Sequence, residues 1–345
     1  MPTKIMDSYN VLEKKHHKLD TKNKKIISLL SENSRMAFTE IARKVGLSKE
    51  SVQYRYKQLL SKKLILGAYA EIDFEKLKFK RYHILLLLDE SDQEKQKKFI
   101  ESLLENPNVI RVTEFNDNWD LEITLLARSL KDFDQVTEEM LSPFSEIIQD
   151  KDIEAEIERV ESHSFPEFKK VNGKEKVSLE SPEEEKVSYD DKDLKILQLL
   201  CKDSRMSTYK IAEGVKLSAD AIGLRIKRLL KNGIINKFTI TLNCSLLGYE
   251  WFTFCFNTAC LAKSEEKKFF YYAKENSYLV TVKRMLGDWD IKSNVVVKDP
   301  AEFHKLIKDI KVRFGKIIRS YETWVVFREH VFNPFPKVLL QKIYK

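Results

Sequence analysis

The stretch LDTKNKKIISLLSENSRMAFTEIARKVGLSKESVQYRYKQLLSKKLILG, Leu19–Gly67, decides how this chain is read. It returns 170 residues later as YDDKDLKILQLLCKDSRMSTYKIAEGVKLSADAIGLRIKRLLKNGIINK, Tyr189–Lys237, ungapped and with 19 of 49 positions identical. The register persists downstream: Asn118-Trp119-Asp120 falls on Asp288-Trp289-Asp290, and Phe133 on Phe303. A fixed period over this length marks a duplicated unit.

Within the first copy, Ile26, Ile27, Leu29 and Leu30 form a stripe at helical spacing, with Asp20 placed as its N-cap. A second short helix is expected near Phe38–Val45. Gly46-Leu47-Ser48 makes a tight turn, and a third helix runs from Lys49 to about Ser61 with Val52, Tyr56, Leu59 and Leu60 facing inward. Three short helices with a short turn between the last two are a helix-turn-helix pattern. Alternation follows. Strands at Tyr82–Asp89, Val109–Phe115, Leu121–Ala127 and Ile147–Ile157 interleave with helices at Gln93–Glu105 and Lys131–Met140. That βαββαβ order is a ferredoxin-like sandwich. The predicted class is α+β: two winged or three-helix helix-turn-helix domains, each followed by a ferredoxin-like sandwich.

The expected division is a basic flexible arm at 1–18, the first helical domain at 19–67 and the first sandwich at 68–160. A charged linker, 161–188, leads to the second helical domain (189–237), the second sandwich (238–330) and a tail at 331–345 with a short helix near Val338–Tyr344. Net charge is +8 over 345 residues, unevenly spread: +7 over 20–66, −11 over 67–160, +4 over 190–236 and +5 over 237–330. Opposite signs on the sandwiches select partner and orientation. Sandwich one is therefore expected to pack on sandwich two. Glu154, Glu156 and Glu158 alternate along one strand and read as its solvent face. The four cysteines read as reduced thiols, no metal or cofactor is expected, and no apolar run is long enough for a membrane span.

The motif LD-x4-I-I-x-L-L-x3-SRM-x4-EIA-x2-VGLS-x3-V-x2-R, Leu19–Arg55, resembles the DNA-binding domain of the Lrp/AsnC (feast/famine) transcription regulators. The sandwich resembles that family's ligand-sensing domain. The resemblance implies a cytoplasmic, nucleoid-associated regulator of double-stranded DNA, modulated by an amino acid or related metabolite. It also implies a homo-oligomer, here with an intrachain pseudo-dimer. A recognition helix presents its N-terminal residues to the major groove. The first-copy contacts are expected from Arg43, Ser48, Lys49, Ser51, Gln53, Tyr54, Arg55 and Lys57; Gln pairs with adenine and Arg with guanine. The second copy offers Ser218, Arg225, Lys227 and Arg228. Its Lys216 replaces the turn glycine, and its face is otherwise Ala219, Asp220, Ala221, Gly223 and Leu224, so it should bind weakly, mostly through phosphates, or not at all. Arg35 is expected to be structural. For an effector, Gly287, Asp288, Trp289 and Asp290 match the family's Gly-x-x-Asp loop, against the plainer reading of a hairpin with a packed tryptophan.

Two alternatives remain. One is an architectural or protein-interaction module with weak DNA binding. The other is an enzyme similar to siroheme decarboxylases, which would need His and Arg residues lining a cavity. His83 reads as a core or interface residue.

Overall fold

The structure is a computed structural model. It describes residues 4–13, 16–89, 91–161, 166, 188–259 and 263–341. Most of the expected linker, together with Cys260 and His163, lies outside the described residues.

The first copy runs β1 (Ile5–Asn10), α1 (Thr21–Glu32), α2 (Phe38–Val45), α3 (Lys49–Ser61), β2 (Ile65–Ile72), β3 (Lys80–Leu88), α4 (Gln93–Glu105), β4 (Val109–Phe115), β5 (Leu121–Ala127), α5 (Leu130–Leu141) and β6 (Ile148–Glu161). The second runs α6 (Asp191–Lys202), α7 (Thr208–Val215), α8 (Ala219–Lys231), β7 (Ile235–Leu242), β8 (Glu250–Thr258), α9 (Lys263–Glu275), β9 (Leu279–Leu286), β10 (Ile291–Val297), α10 (Pro300–Phe314) and β11 (Ile318–Phe332). A 3₁₀ turn at Lys337–Leu340 stands where the tail helix was expected.

The helix boundaries follow from their caps. Asp20 accepts from Asn23 N at 2.7 Å, Ser48 from Ser51 N at 3.1 Å and Ser218 from Ala221 N at 3.2 Å. These side chains satisfy amides that the first helical turn leaves without intrahelical partners. Gly46 closes α2 at φ 64°, ψ 53°; Lys216 closes α7 in the same left-handed conformation at φ 58°, ψ 52°. Glycine takes that conformation freely, whereas a side chain there is strained. Leu60, expected inward on α3, is exposed.

The two copies share both layers. β2 and β7 pair antiparallel as a ribbon, so α1 packs on β7 and α6 on β2. Across this junction Ser34 Oγ meets Ser204 Oγ at 2.6 Å, at positions 170 apart. Arg35 donates to the carbonyls of Ser204 and Met206, and Arg205 donates to those of Ser34 and Met36. The reciprocity is that of an internal pseudo-two-fold axis. It explains why SRM recurs in both copies, and it gives Arg35 the structural place expected of it.

Below the ribbon, the sheets join by their edges rather than stacking face on face. Strand order is β11-β4-β5-β3-β6-β9-β10-β8, and β8 pairs back to β11. Every pairing is antiparallel. The result is a closed eight-stranded barrel. The first half of β6 pairs with β3, and its second half crosses to β9; β11 does the same with β8 and β4. Helix pairs cover the outside, packed through Phe99, Leu103, Phe133 and Met140 in one copy and Phe269, Leu306 and Ile310 in the other.

Two expectations change here. The arm at 1–18 was read as loose, yet β1 pairs with β11 and buries Tyr9, whose hydroxyl accepts from Trp251 N. Its charged composition hid a strand that needs the distant β11 to form. Glu154 and Glu156, read as solvent-facing, point into the barrel and are buried, while Ile153 and Ile157 are exposed. Barrel closure reverses the usual alternation because this interior holds ions. Cys201, Cys244 and Cys255 are buried and free.

Candidate nucleic-acid interface and barrel cavity

The solvent face of α3 carries Lys49, Glu50, Tyr54 and Lys57, all exposed, with Ser51 and Gln53 half-buried. Tyr54 is 65% exposed and its hydroxyl accepts from Gln58 Nε2 at 3.2 Å. Arg43, at the end of α2, and Ser48, at the turn, are exposed on the approach to this face. Val52 and Leu59 anchor the opposite side.

Arg55 is placed differently. Its Nη1 donates to Asp20 Oδ2 at 2.6 Å and to Asn23 Oδ1 at 3.0 Å, tying α3 to the start of α1. The hydrogen bond from Arg55 is the main reason the Asp20 carboxyl sits below its usual range. The second copy repeats the device. Arg225 reaches Asp190 at 2.9 Å and Asp193 at 2.8 Å, and Arg228 reaches Asp193 at 2.5 Å. Three of the arginines expected at DNA are therefore occupied within their own domain. On α8 the exposed residues are Asp220, Leu224 (68% exposed), Lys227, Arg228, Leu230 and Lys231, so the N-terminal half of this face is poor in donors and its cations lie toward the C-terminal end.

The loop matched to the family's Gly-x-x-Asp pattern is the turn between β9 and β10. A Cβ on Gly287 would lie 2.7 Å from Glu154 Cγ and 3.2 Å from its Cα, so this glycine admits strand β6 of the other sandwich. Asp290 Oδ2 accepts from Thr258 N at 2.7 Å and Oγ1 at 2.8 Å. Trp289 is half-buried against Trp324, and Asp288 is exposed.

The cavity lies elsewhere, inside the barrel. It encloses about 190 Å³, lined among others by Arg81, His83, Arg111, Glu122, Arg159 and Lys283; the 287–290 turn is not part of its wall. Lys292, wholly buried, donates to Glu122 at 2.9 Å and Glu154 at 2.7 Å. Burial would lower its ammonium, but Glu122 and Glu154 outweigh that and raise it. Glu122 and Lys292 are 170 apart, so an ion pair occupies equivalent positions of the two copies. Two identical subunits would place like charges there. His83, 1% exposed, lies 2.9 Å from Glu122 through Nδ1 and 3.2 Å from Glu156 through Nε2. Arg159 grips Glu156 with two bonds, of 2.8 and 2.6 Å, and Arg81 adds a third at 3.1 Å. Burial would push up the carboxyls of Glu122 and Glu156; their cations outweigh it and hold both well below the usual range. Glu71 goes the other way: burial and the neighbouring Glu161 carboxylate raise it to about 7, despite Lys237.

Sequence reasoning had set His83 in a core or interface but did not assemble this cluster. The usable signal was the opposite charge of Glu122 and Lys292 at matched strand positions. Among the described residues, no group of His, Cys, Asp and Glu is arranged to hold a metal ion, and no helix is long and apolar enough to cross a membrane.

Comparison with known proteins accords with the doubled architecture. The AsnC-type helix-turn-helix domain matches residues 19–60 and again 190–230. A helix-turn-helix-type transcriptional regulator of Pyrococcus horikoshii is 34% identical over 152 residues, covering 42% of this chain and 90% of that protein. One from Pyrococcus furiosus is 29% identical over 143 residues, covering 41% and 91%. Among solved structures, the siroheme decarboxylase NirDL superposes with a TM-score of 0.57 over 90% of this chain and 92% of its own, at 12% identity, a likeness of fold alone. The chain belongs to the Lrp/AsnC family and carries that family's module twice.

Proposed function

We propose that this protein is a sequence-specific DNA-binding transcription regulator whose first copy reads the site. The observation that carries this is the exposed polar N-terminal face of α3, set on a unit of net charge +7. Lys49, Ser51, Gln53 and Tyr54 take the base edges and nearby phosphates; Arg43, Ser48 and Lys57 hold backbone. Arg55 acts one step back, by fixing the angle of α3 against α1. The second copy, with Asp220 and Leu224 outward, adds phosphate contacts through Ser218 and Lys227. Pairing of two chains would set two α3 helices at half-sites a whole number of turns apart. A small-molecule effector shifts this equilibrium only by binding one arrangement more tightly. The working place is the cytoplasm, on the nucleoid.

The test is retardation of genomic fragments over a salt series. Log affinity should fall linearly with log salt, and Lys49→Ala and Lys57→Ala should each reduce the slope by about 1. A flat dependence, or footprints with no discrete boundary, would favour the architectural reading instead.

One observation favours a second, enzymatic reading: His83 and three arginines line one cavity. Its size argues the other way, because about 190 Å³ is below the roughly 300–1,000 Å³ of pockets for drug-sized ligands, and a tetrapyrrole is larger still. Siroheme absorbance that shifts on mixing with the protein would revive it.

A further inference from the structure

We propose that the barrel cavity is a binding site for a small aliphatic dicarboxylate, held end to end between Arg111 and Lys283. The proposal deepens the effector part of the regulator reading and rests on that reading for its biological role, though not for binding itself.

Position comes first. Around the closed barrel, β4 and β9 are each four strands apart by either route, so they form opposite walls. Arg111 stands on β4 and Lys283 on β9, and both line the cavity. Eight-stranded barrels are wide enough to hold one small ligand. A molecule with an anion at each end spans two opposed cations; a molecule with one carboxylate leaves a wall unanswered.

The hydrogen-bond inventory points the same way. Lys283 is buried, 3% exposed, and the carboxylate oxygen it faces, on Glu122, is 3.8 Å away, too far for a hydrogen bond. That oxygen already receives Lys292 and His83. A buried ammonium short of acceptors is costly, and a ligand carboxylate is the acceptor it lacks. Arg111 faces Glu329 at 2.8 Å and lies over the Phe332 ring at 4.9 Å, so one edge of its planar fork remains for a second carboxylate. Burial raises the Glu329 carboxyl, which weakens its competition for Arg111. Thr113 and Thr281 on these two walls, and Thr124, Thr253 and Asn294 between them, line the cavity with hydroxyl and amide groups suited to a short polar chain, alongside Glu71, Glu122, Glu161 and Glu329. Arg81 and Arg159 are committed to Glu156 and supply no comparable anchor.

The experiment is thermal unfolding of the full chain, without DNA, in succinate or glutarate up to about 10 mM, with leucine as the single-carboxylate comparison. One of the two diacids should raise the midpoint by about 4 °C near saturation. Lys283→Met and Arg111→Lys should each weaken that diacid at least about tenfold, the second because lysine lacks the two-pronged geometry. Lys131→Gln, on the solvent side of α5, should leave it unchanged. Absence of any diacid shift, a shift that survives both cavity variants, or an equal shift with leucine would overturn the assignment. DNA retardation on the same sample separates the readings: binding to DNA without a diacid shift sinks the site alone, and a diacid shift without DNA binding sinks the regulator alone.

Discussion

Lys292 shows how much a single side chain carries here. It is wholly buried between Glu122 and Glu154, and removing one member of such a cluster strands the others' charge. Lys292→Met should cost about 3–5 kcal/mol of stability, read as a fall in the urea midpoint. Glu71 sets a pH dependence. Its folded-state carboxyl titrates at about 7, against an ordinary 4.5, so the folded state holds the proton more tightly. Its contribution is fully present below pH 4.5 and is lost as pH rises through about 7. Glu122 and Glu156 carry the opposite sign: their contribution is present above the usual carboxylate value and is lost as pH falls below it. Stability measured between pH 4.5 and 7.5 should decline, and Glu71→Gln should flatten that decline; an unchanged slope would show that Glu71 does not set it. At the DNA face, Arg55→Ala should weaken all duplexes alike, since Arg55 orients α3 and leaves base reading to its neighbours. Loss confined to one sequence would place Arg55 on a base.

At the level of elements, the helix-turn-helix units were legible because their signals are local. Caps, turn and apolar stripe lie within a few residues of each other. Lys216, aligned with the turn glycine Gly46, takes the same left-handed conformation. Lys216→Gly should stabilise the second copy by about 1 kcal/mol, measured by chemical denaturation. The β9–β10 turn was less legible. Its glycine looked suited to a ligand, but what approaches it is Glu154 of the other sandwich. Gly287→Ala should therefore destabilise the chain by about 1–3 kcal/mol through the β6–β9 seam. A stable variant would contradict that account.

Over the whole molecule, duplication in one chain permits asymmetry. A pair of identical subunits repeats every residue across its axis, whereas this chain sets Glu122 against Lys292 and Arg159 against Glu329 at matched positions. Charge thus favours pairing of unlike halves over pairing of like ones. The net −11 and +5 of the two sandwiches hinted at this from composition, but the attraction is realised inside the barrel rather than across two flat faces. The same asymmetry extends to the helical layer, where α3 presents donors and α8 presents Asp220 and Leu224.

From residue order alone came the repeat, the three-helix units, the βαββαβ order and the family, because period, caps and alternation are properties of neighbours along the chain. Edge pairing of the sheets, the strand at Ile5–Asn10, the buried glutamates and the ion-lined cavity arose only on folding. Those features bring together residues far apart in sequence, and periodicity cannot tell a strand face turned to water from one turned into a polar barrel.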